Sequence, residues 1–542
     1  MRDVNGAGRR LAAWRGLCAL SRRFRADQSG VTIIIFAIGF SVFGLAAAIA
    51  IDYARVEIEH LRMQRAIDAA ALAAAHRLGR PDQEESGPAS AEAFFKANVR
   101  HGTTLAITDM KMDAATGEVK ITSGGRHPTT LMNVFGVRDT AIGAGTRVVR
   151  GDGTVEVALV LDNSGSMAGA PIAELKDAAR NLVDVVFAGA MGNDKVHIGV
   201  VPFAGSVNVG AHHRDAGWID TEGQSPIHHE NFASPRTRLQ LFNDLGTPWR
   251  GCVEARPAPY DVNDAQPSSG TPATLFVPMF SPDEPDKGNV PDNVTYQYQN
   301  NYLNDFGGSC PKPEQVCTKY NTRQQRCDEY GPKPMTPAEA QARMCKYEGA
   351  ATPSGLGPNY GCTTAPVTEL TSYKEDVTAA IDAMVANGLT NIGEGLMWGW
   401  RLLSPEVPFT TGRSWSEEKN QKVIVLMTDG QNTYNRYSGN HNWTSYGAFG
   451  FGAKGRLGNT NSASALTNAM NAKMRSACTN AKARGIVIYT IAFRPNVDAT
   501  TRALLNDCAT DSTKSFAASD GAALYQVFQA IGREISNLRV AG

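Results

Sequence analysis

Asp162-Asn163-Ser164-Gly165-Ser166 offers one carboxylate and two hydroxyls at alternate positions of a short turn expected to be exposed, and so can present hard oxygens to a single point. Hard oxygen donors suit a small divalent cation that keeps some of its waters, Mg²⁺ first, with Mn²⁺ or Ca²⁺ as alternatives. Two further segments carry donors of the same kind, Thr390 within Leu389-Thr390-Asn391 and Asp429 within Met427-Thr428-Asp429-Gly430. Few charged ligands and no cage of carboxylates leave a coordination position open, which an acidic side chain from a protein partner could fill. The competing reading is that these residues only cap a helix and shape a turn, as Asp and Ser often do. Three such segments in order along the chain favour the metal, because a motif is confirmed by its structural context.

Such donors need strands to deliver them. Residues 155–161 (VEVALVL) form a nearly continuous apolar strand ending at Asp162, an Ala-rich helix is predicted over 171–188, and 196–203 (VHIGVVPF) is the next strand. Doubly apolar strands alternating with helices indicate a parallel sheet covered on both faces, so the fold class is α/β, doubly wound and Rossmann-like. In such sheets ligands bind beyond the carboxyl ends of the strands. The alternation stops until about Leu370 and then resumes with a helix over 373–386, a strand over 423–427 ending next to Asp429, a helix over 463–483, a strand over 486–492 and a helix over 522–537. The interruption is rich in Pro, Gly, Asn and Asp and holds six cysteines from Cys252 to Cys362, which reads as a disulfide-stapled insertion.

Other chemistry is set aside. His212-His213 and His228-His229 read as solvated loop histidines, no nucleophile–base pair stands out, and no general base accompanies the proposed metal residues, so no enzyme is expected. Asp261, Asp264, Asp283, Glu284 and Asp286 fit no Ca²⁺-loop spacing and read as a solvated acidic loop. Residues 447–458 lack the Gly-Lys-Ser/Thr ending of a phosphate loop and read as a mobile loop near Asp429.

At 542 residues the chain has room for several domains. Lys plus Arg and Asp plus Glu both number 53, and this balance gives no argument for a nucleic-acid partner. The one long uncharged apolar run, 31–51, spans roughly 30 Å at about 1.5 Å per residue and is read as an uncleaved transmembrane helix rather than a signal peptide. Arg2, Arg9, Arg10, Arg15, Arg22, Arg23 and Arg25 precede it, which keeps the N-terminus cytoplasmic and exports the rest. The helix is predicted to continue to about Leu78 before Gly79-Arg80-Pro81, and strands near 118–122 and 141–149 suggest a small helix-plus-strands region. Cys18 is then cytoplasmic, and eight exported cysteines point to disulfides, with Cys478 and Cys508 as one proposed pair.

The motif Asp162-x-Ser164-x-Ser166, Thr390 and Asp429-Gly430 resembles the metal-ion-dependent adhesion site (MIDAS) of the von Willebrand factor A (VWA) family, over roughly 154–203 and 369–537. The resemblance implies that Ser164, Ser166 and Thr390 coordinate the ion directly while Asp162 and Asp429 act largely through waters. A second resemblance is to TadG-like proteins of the Tad (tight adherence) system that assembles Flp pili. It rests on Phe24-Arg25-Ala26-Asp27-Gln28-Ser29-Gly30, on Asp52-Tyr53, on Leu61-x-x-Gln64-x-Ala66-x-Asp68-Ala69-Ala70-Ala71-Leu72-Ala73, and on Trp249-x-Gly251-Cys252-Val253-Glu254-Ala255-Arg256-Pro257. After Gly30 the chain reads Val31-Thr32-Ile33-Ile34-Ile35, without the glutamate of processed type IV prepilins, which argues against pilin-like cleavage.

Together these readings divide the chain into a cytoplasmic basic tail (1–29), a transmembrane helix (30–52), a periplasmic Tad-like, pilin-like region (53–150), a first VWA part (151–204), the Cys-rich insertion (205–370) and a second VWA part (371–542). The resemblances imply a single-pass bacterial inner-membrane protein, mostly periplasmic and with outer-surface association open, that binds envelope partners such as pilus-assembly components. The alternative is an envelope VWA scaffold or sensor unrelated to pili.

Overall fold

The computed structural model describes residues 31–541 except 79–81, 100–103, 114–116, 150–152, 189–193, 234–235, 287–297, 353–354 and the single positions 334, 438 and 496. The arginines before the apolar run, Cys18, the 24–30 segment and the proposed stop at Gly79-Arg80-Pro81 lie outside the described residues. The chain divides into two compact units, one ending at Arg150 and one beginning at Gly151.

The first unit is built on helix α1 (Val31–Ala75). Its front half leaves Ile33, Ile34, Ile35, Phe36, Phe40 and Phe43 exposed, and the helix is long and apolar enough to cross a membrane. Its second half buries Met63, Ala66, Ile67, Ala70, Ala71 and Ala74 completely. The small alanine faces let α2 (Gln83–Asn98) and an antiparallel sheet pack close, with β2 (Glu118–Pro128) between β1 (Ala106–Asp113) and β3 (Asp139–Val149). Sequence patterning missed α2, which carries Pro88, and β1, which is mostly exposed and lacks a clean apolar alternation. Asp52 is buried and its carboxylate accepts the amides of Thr130, Leu131 and Met132, the last two at 2.8 and 2.6 Å.

The second unit centres on a sheet in the order β13-β12-β11-β4-β5-β6-β7. Its parallel core is β4 (Thr154–Asp162), β5 (Val196–Phe203), β11 (Asn420–Thr428), β12 (Val487–Phe493) and β13 (Ser515–Ala518). The chain moves outward from β4 to β5, then returns to place β11 on the other side of β4, so the strand order reverses between β4 and β11. Alternation decides the two cores: Val155, Val157, Leu159 and Leu161 pack on one face with α3 (Ala170–Ala188), α6 (Lys374–Asp382) and α10 (Gly521–Ala541). Ala158 and Val160 point the other way, to α7 (Ile392–Leu403), α8 (Ala463–Ala483) and α9 (Ala499–Cys508). Helix α7 is buried at every position but Gly393 and presses on β4 through Gly399, where an added Cβ would come within 2.5 Å of Val160 Cγ2. The sequence reading lacked α9, although its buried Thr501, Leu504, Leu505 and Cys508 keep helical spacing, and the four-residue β13, which is too short to show a period.

The cysteine-rich segment is joined to the sheet. Its strands β6 (Val207–Asn208) and β7 (Cys252–Val253) extend the sheet antiparallel, and β10 (Thr368–Thr371) pairs antiparallel with β5. Short helices α4 (Arg238–Asp244) and α5 (Pro337–Ala342) and the hairpin of β8 (Gln315–Asn321) and β9 (Arg326–Pro332) complete it. Trp218, Phe232, Phe242, Phe280 and Tyr347 run continuously into the core on the α7 face. Disulfides link Cys252–Cys362, Cys310–Cys345 and Cys317–Cys327 here, and Cys478–Cys508 joins α8 to α9. Non-reducing peptide mapping of the envelope protein is expected to recover these four links. The Cys478–Cys508 link closes a 30-residue separation, and its removal should cost about 2–4 kcal/mol in unfolding measurements, whereas eight reduced cysteines would contradict the map.

Two expectations are corrected. The acidic residues of the insertion are not a solvated loop: Asp261, Asp283 and Glu284 are buried. Asp283 pairs with Lys346 at 2.7 Å, Asp261 pairs with Lys473, and Glu284 accepts from the Asn300 amide at 2.7 Å. Residues 447–458 likewise pack rather than wave, since Ala448, Phe449 and Leu457 bury against Ala255, Leu466 and Met470. Burial of the carboxylates Asp261, Asp283 and Glu284 is possible because each finds donors, which no spacing template reveals.

Candidate metal centre

Reversal of strand order between β4 and β11 opens a crevice at their carboxyl ends, where ligands bind in open α/β sheets. Asp162 is the last residue of β4, and Asp429 follows Thr428, the last residue of the neighbouring β11. Beyond Asp162 the chain turns sharply, and the Ser164 amide donates to Asp162 Oδ1 at 2.8 Å. The Thr428 hydroxyl donates to Asp162 Oδ2 at 2.6 Å, fixing the carboxylate in plane. The Ser166 hydroxyl donates to Asp429 Oδ1 at 2.6 Å and stands 3.0 Å from Ser164 Oγ. Four of the five predicted donors are thus one connected cluster.

Thr390 reaches the same edge by its backbone. The loop before α7 is tied to the turn, with Asn387 N–H donating to Asn163 O at 2.8 Å and Gly165 N–H donating to Gly388 O at 2.9 Å. On the other side Thr390 N–H donates to Thr433 Oγ1 at 2.9 Å, and Thr433 N–H returns to Thr390 O at 2.9 Å, which joins the loop to the chain leaving Asp429. Asn391 caps α7, and Asn432 accepts from the first helical amide, Ile392, at 2.8 Å. Thr428, Thr433 and Asn432 were not singled out from the sequence. Thr428 adjoins a quoted motif residue and was within reach, whereas Thr433 and Asn432 carried no signal.

Electrostatics fit a cation. Burial pushes the Asp162 carboxyl up to about 6, and the nearby charge of Asp429 adds to the rise. Burial also raises Asp429, and Arg494, whose field reaches it, is committed to Glu174 at 2.8 Å. Two desolvated carboxylates with adjacent hydroxyls, and with no ion pair to a side-chain cation among the described residues, form a donor set that a hard divalent ion would neutralise. Asp162, Ser164, Thr390 and Asp429 are buried while Ser166 is exposed, so the cluster has a floor and one open side. Beside it lies a cleft of about 520 Å³ lined by Gly165, Gly388 and Asn435 and by Tyr360, Thr363 and Tyr446. The cysteine-rich segment therefore forms part of the wall.

The histidines are a partial correction. His228 is fully buried rather than solvated: its Nδ1 lies 2.7 Å from Asp220, and Arg238 N–H donates to its Nε2 at 2.9 Å. This pattern assigns a neutral ring with the proton on Nδ1, and it occupies both nitrogens. His212 is exposed as expected, and His213 and His229 are half-buried.

Residues 30–77 match the Tad family model, described as Flp pilus-assembly TadE/G-like. No curated protein sequence matches the chain. Among solved structures, the pilus adhesin SpaC of Lactobacillus rhamnosus GG is similar at 12% identity and a TM-score of 0.32, over 80% of this chain and 34% of that one. The vWF domain of the type V pili tip protein Mfa5 of Porphyromonas gingivalis shows 11% identity and a TM-score of 0.31, over 72% of this chain and 96% of that one. The PilB minor pilin of Streptococcus sanguinis shows 11% identity and a TM-score of 0.31, over 81% and 79%. The chain spans about a third of the length of SpaC.

Proposed function

We propose that this is a membrane-anchored envelope protein of Flp pilus assembly or tight adherence that binds a protein partner through Mg²⁺ held at a MIDAS of a VWA domain. One observation carries the metal reading: Asp162 ends β4 and Asp429 directly follows the adjacent parallel β11 at the point of strand reversal, with Ser164 and Ser166 hydrogen-bonded between them. Ser164, Ser166 and Thr390 would hold the ion directly, and Asp162 and Asp429 would orient its waters. The bound ion supplies a positive charge with an open position, suited to a partner's carboxylate. The cleft wall contributed by the cysteine-rich insertion would then read the residues around that carboxylate. Binding rather than catalysis is proposed on the sequence reading that no general base accompanies Asp162 and Asp429.

The pilus context rests on the Tad match over residues 30–77 and on the motif residues around Cys252. The apolar half of α1 would anchor the protein in the inner membrane with residues 53–542 in the periplasm. A reporter active only in the periplasm should be active when fused after Leu78 and inactive when fused before Ser29, and the reverse pattern would remove the export on which the disulfides depend. Capture from solubilised envelopes with the full-length chain tests the partner. Pilus-assembly components should be retained in Mg²⁺ and released by a chelator, and retention of unrelated envelope proteins alone would favour a scaffold outside the pilus.

A further inference from the structure

We infer that His212, His213 and Glu369 form a second cation site, of the imidazole-preferring kind that Zn²⁺ fills. The two histidines are consecutive on the one-turn helix Ala211–His213, Glu369 lies on β10, and one donor atom from each falls within 4.8 Å of the other two. Gly210 makes the turn possible: its φ is +100°, and a Cβ there would stand 2.5 Å from Cε1 of His212. His213 is seated against Trp218 and Phe409, with ring centroids 5.0 and 5.9 Å away. Its Nε2 is buried, has no hydrogen-bond partner among the described residues, and stands 3.9 Å from Glu369 Oε1, beyond hydrogen-bonding range. An unpaired buried nitrogen is unfavourable, and a metal ion would satisfy it. Three tetrahedral ligands at ~2.1 Å from zinc stand ~3.4 Å apart, so side-chain movements of about an ångström close the site and leave a fourth position open. Two imidazoles and one carboxylate prefer Zn²⁺ to Mg²⁺, the opposite of the oxygen-only cluster at Asp162.

The test is calorimetric titration of the metal-free, tag-free full-length chain in detergent with ZnCl₂ in excess Mg²⁺, with Co²⁺ absorption as a geometric readout. One zinc per chain is expected, weakened at least ~100-fold in His213→Ala and in Glu369→Gln, with loss of the tetrahedral Co²⁺ bands. Ser164→Ala should bind zinc unchanged. Glu369→Gln keeps the size of a half-exposed residue and so controls for misfolding. No zinc uptake by the wild type, or equal uptake by Glu369→Gln, would overturn the site.

Independently, and resting on the membrane-anchor reading, we infer that the loop 131–137 sits in the lipid headgroup region. Asp52, one residue beyond the apolar run, binds the amides of Leu131 and Met132, and Arg55 donates to Thr130 Oγ1 at 2.7 Å. The loop is therefore pinned where the helix leaves the apolar run. Leu131, Val134, Phe135 and Val137 are 37%, 82%, 56% and 39% exposed there, and apolar side chains at that level suit the boundary between headgroups and acyl chains. Nitroxide labels at Ile38→Cys and Val134→Cys, each in a Cys18→Ser chain in phosphatidylcholine–phosphatidylglycerol vesicles, would report depth from oxygen and nickel accessibility. Both labels should favour oxygen, Ile38 more strongly. An aqueous Ile38 label would remove the anchor, whereas a lipid-exposed Ile38 label with an aqueous Val134 label would overturn this proposal alone.

Discussion

Asp162→Ala in the full-length chain is expected to abolish Mg²⁺-dependent partner capture, and Ser164→Ala to do the same with less effect on the fold. The difference between them comes from burial. Both residues are buried, contrary to the exposed turn that sequence reading placed at Ser164. The Asp162 carboxylate accepts from the Ser164 amide and the Thr428 hydroxyl, so its removal leaves two donors unpaired and costs about 1–3 kcal/mol on top of the lost metal charge. Ser164→Ala removes a proposed direct ligand and the hydroxyl 3.0 Å from Ser166, but leaves the backbone bond to Asp162 in place. Mg²⁺ affinity should fall at least ~10-fold in either variant, with the far-ultraviolet spectrum and the disulfide map unchanged for Ser164→Ala. Were the residues only a helix cap, either substitution would cost about 0.5–2 kcal/mol of stability and leave capture insensitive to Mg²⁺.

Glu254→Ala should produce the largest loss of stability. Glu254 and Arg238 are both fully buried and paired, and Arg456 and the Tyr446 hydroxyl also reach Glu254. Arg238 spends its remaining donors on the carbonyls of Ile227, His228 and Pro278. Burial works against the charge of Arg238, but the neighbouring charge of Glu254 more than offsets it and holds the guanidinium above its ordinary value. Truncating the carboxylate leaves two guanidinium groups uncompensated in a low-dielectric interior, which costs about 3–5 kcal/mol. Thermal unfolding and limited proteolysis should both show the segment between Cys252 and Cys362 opening first, and a variant as stable as wild type would refute the role given to this network.

The same network explains a motif that sequence reading could only match. Within Trp249-x-Gly251-Cys252-Val253-Glu254-Ala255-Arg256-Pro257, Cys252 is bonded to Cys362, Glu254 neutralises Arg238 and Arg456, and Arg256 donates to the carbonyls of Tyr260 and Asn263. Charged residues in an irregular stretch look solvated because nothing local shows their partners, which lie up to 202 residues away in sequence. Strands β4, β5 and β11 were legible for the opposite reason. Each is an apolar run buried on both faces, a signal contained in its own few residues. The positions of Asp162, Ser164, Ser166 and Asp429 at one edge of the sheet were legible because their strands were. Thr390 could be placed only at the loop level, since the stretch 204–389 between β5 and Thr390 hides the register that the Thr433 and Asn387 bonds supply; of this stretch, 205–370 formed the predicted insertion. Thr433 itself has neither a motif nor a strand end to mark it.

Mg²⁺ titration of the full-length protein in detergent, wild type against Ser164→Ala, tests the proposed site most directly. The account predicts a saturable heat of binding for the wild type at or below about millimolar Mg²⁺, set by few charged ligands, and none for the variant. No wild-type signal, or the same signal in Ser164→Ala, would contradict it.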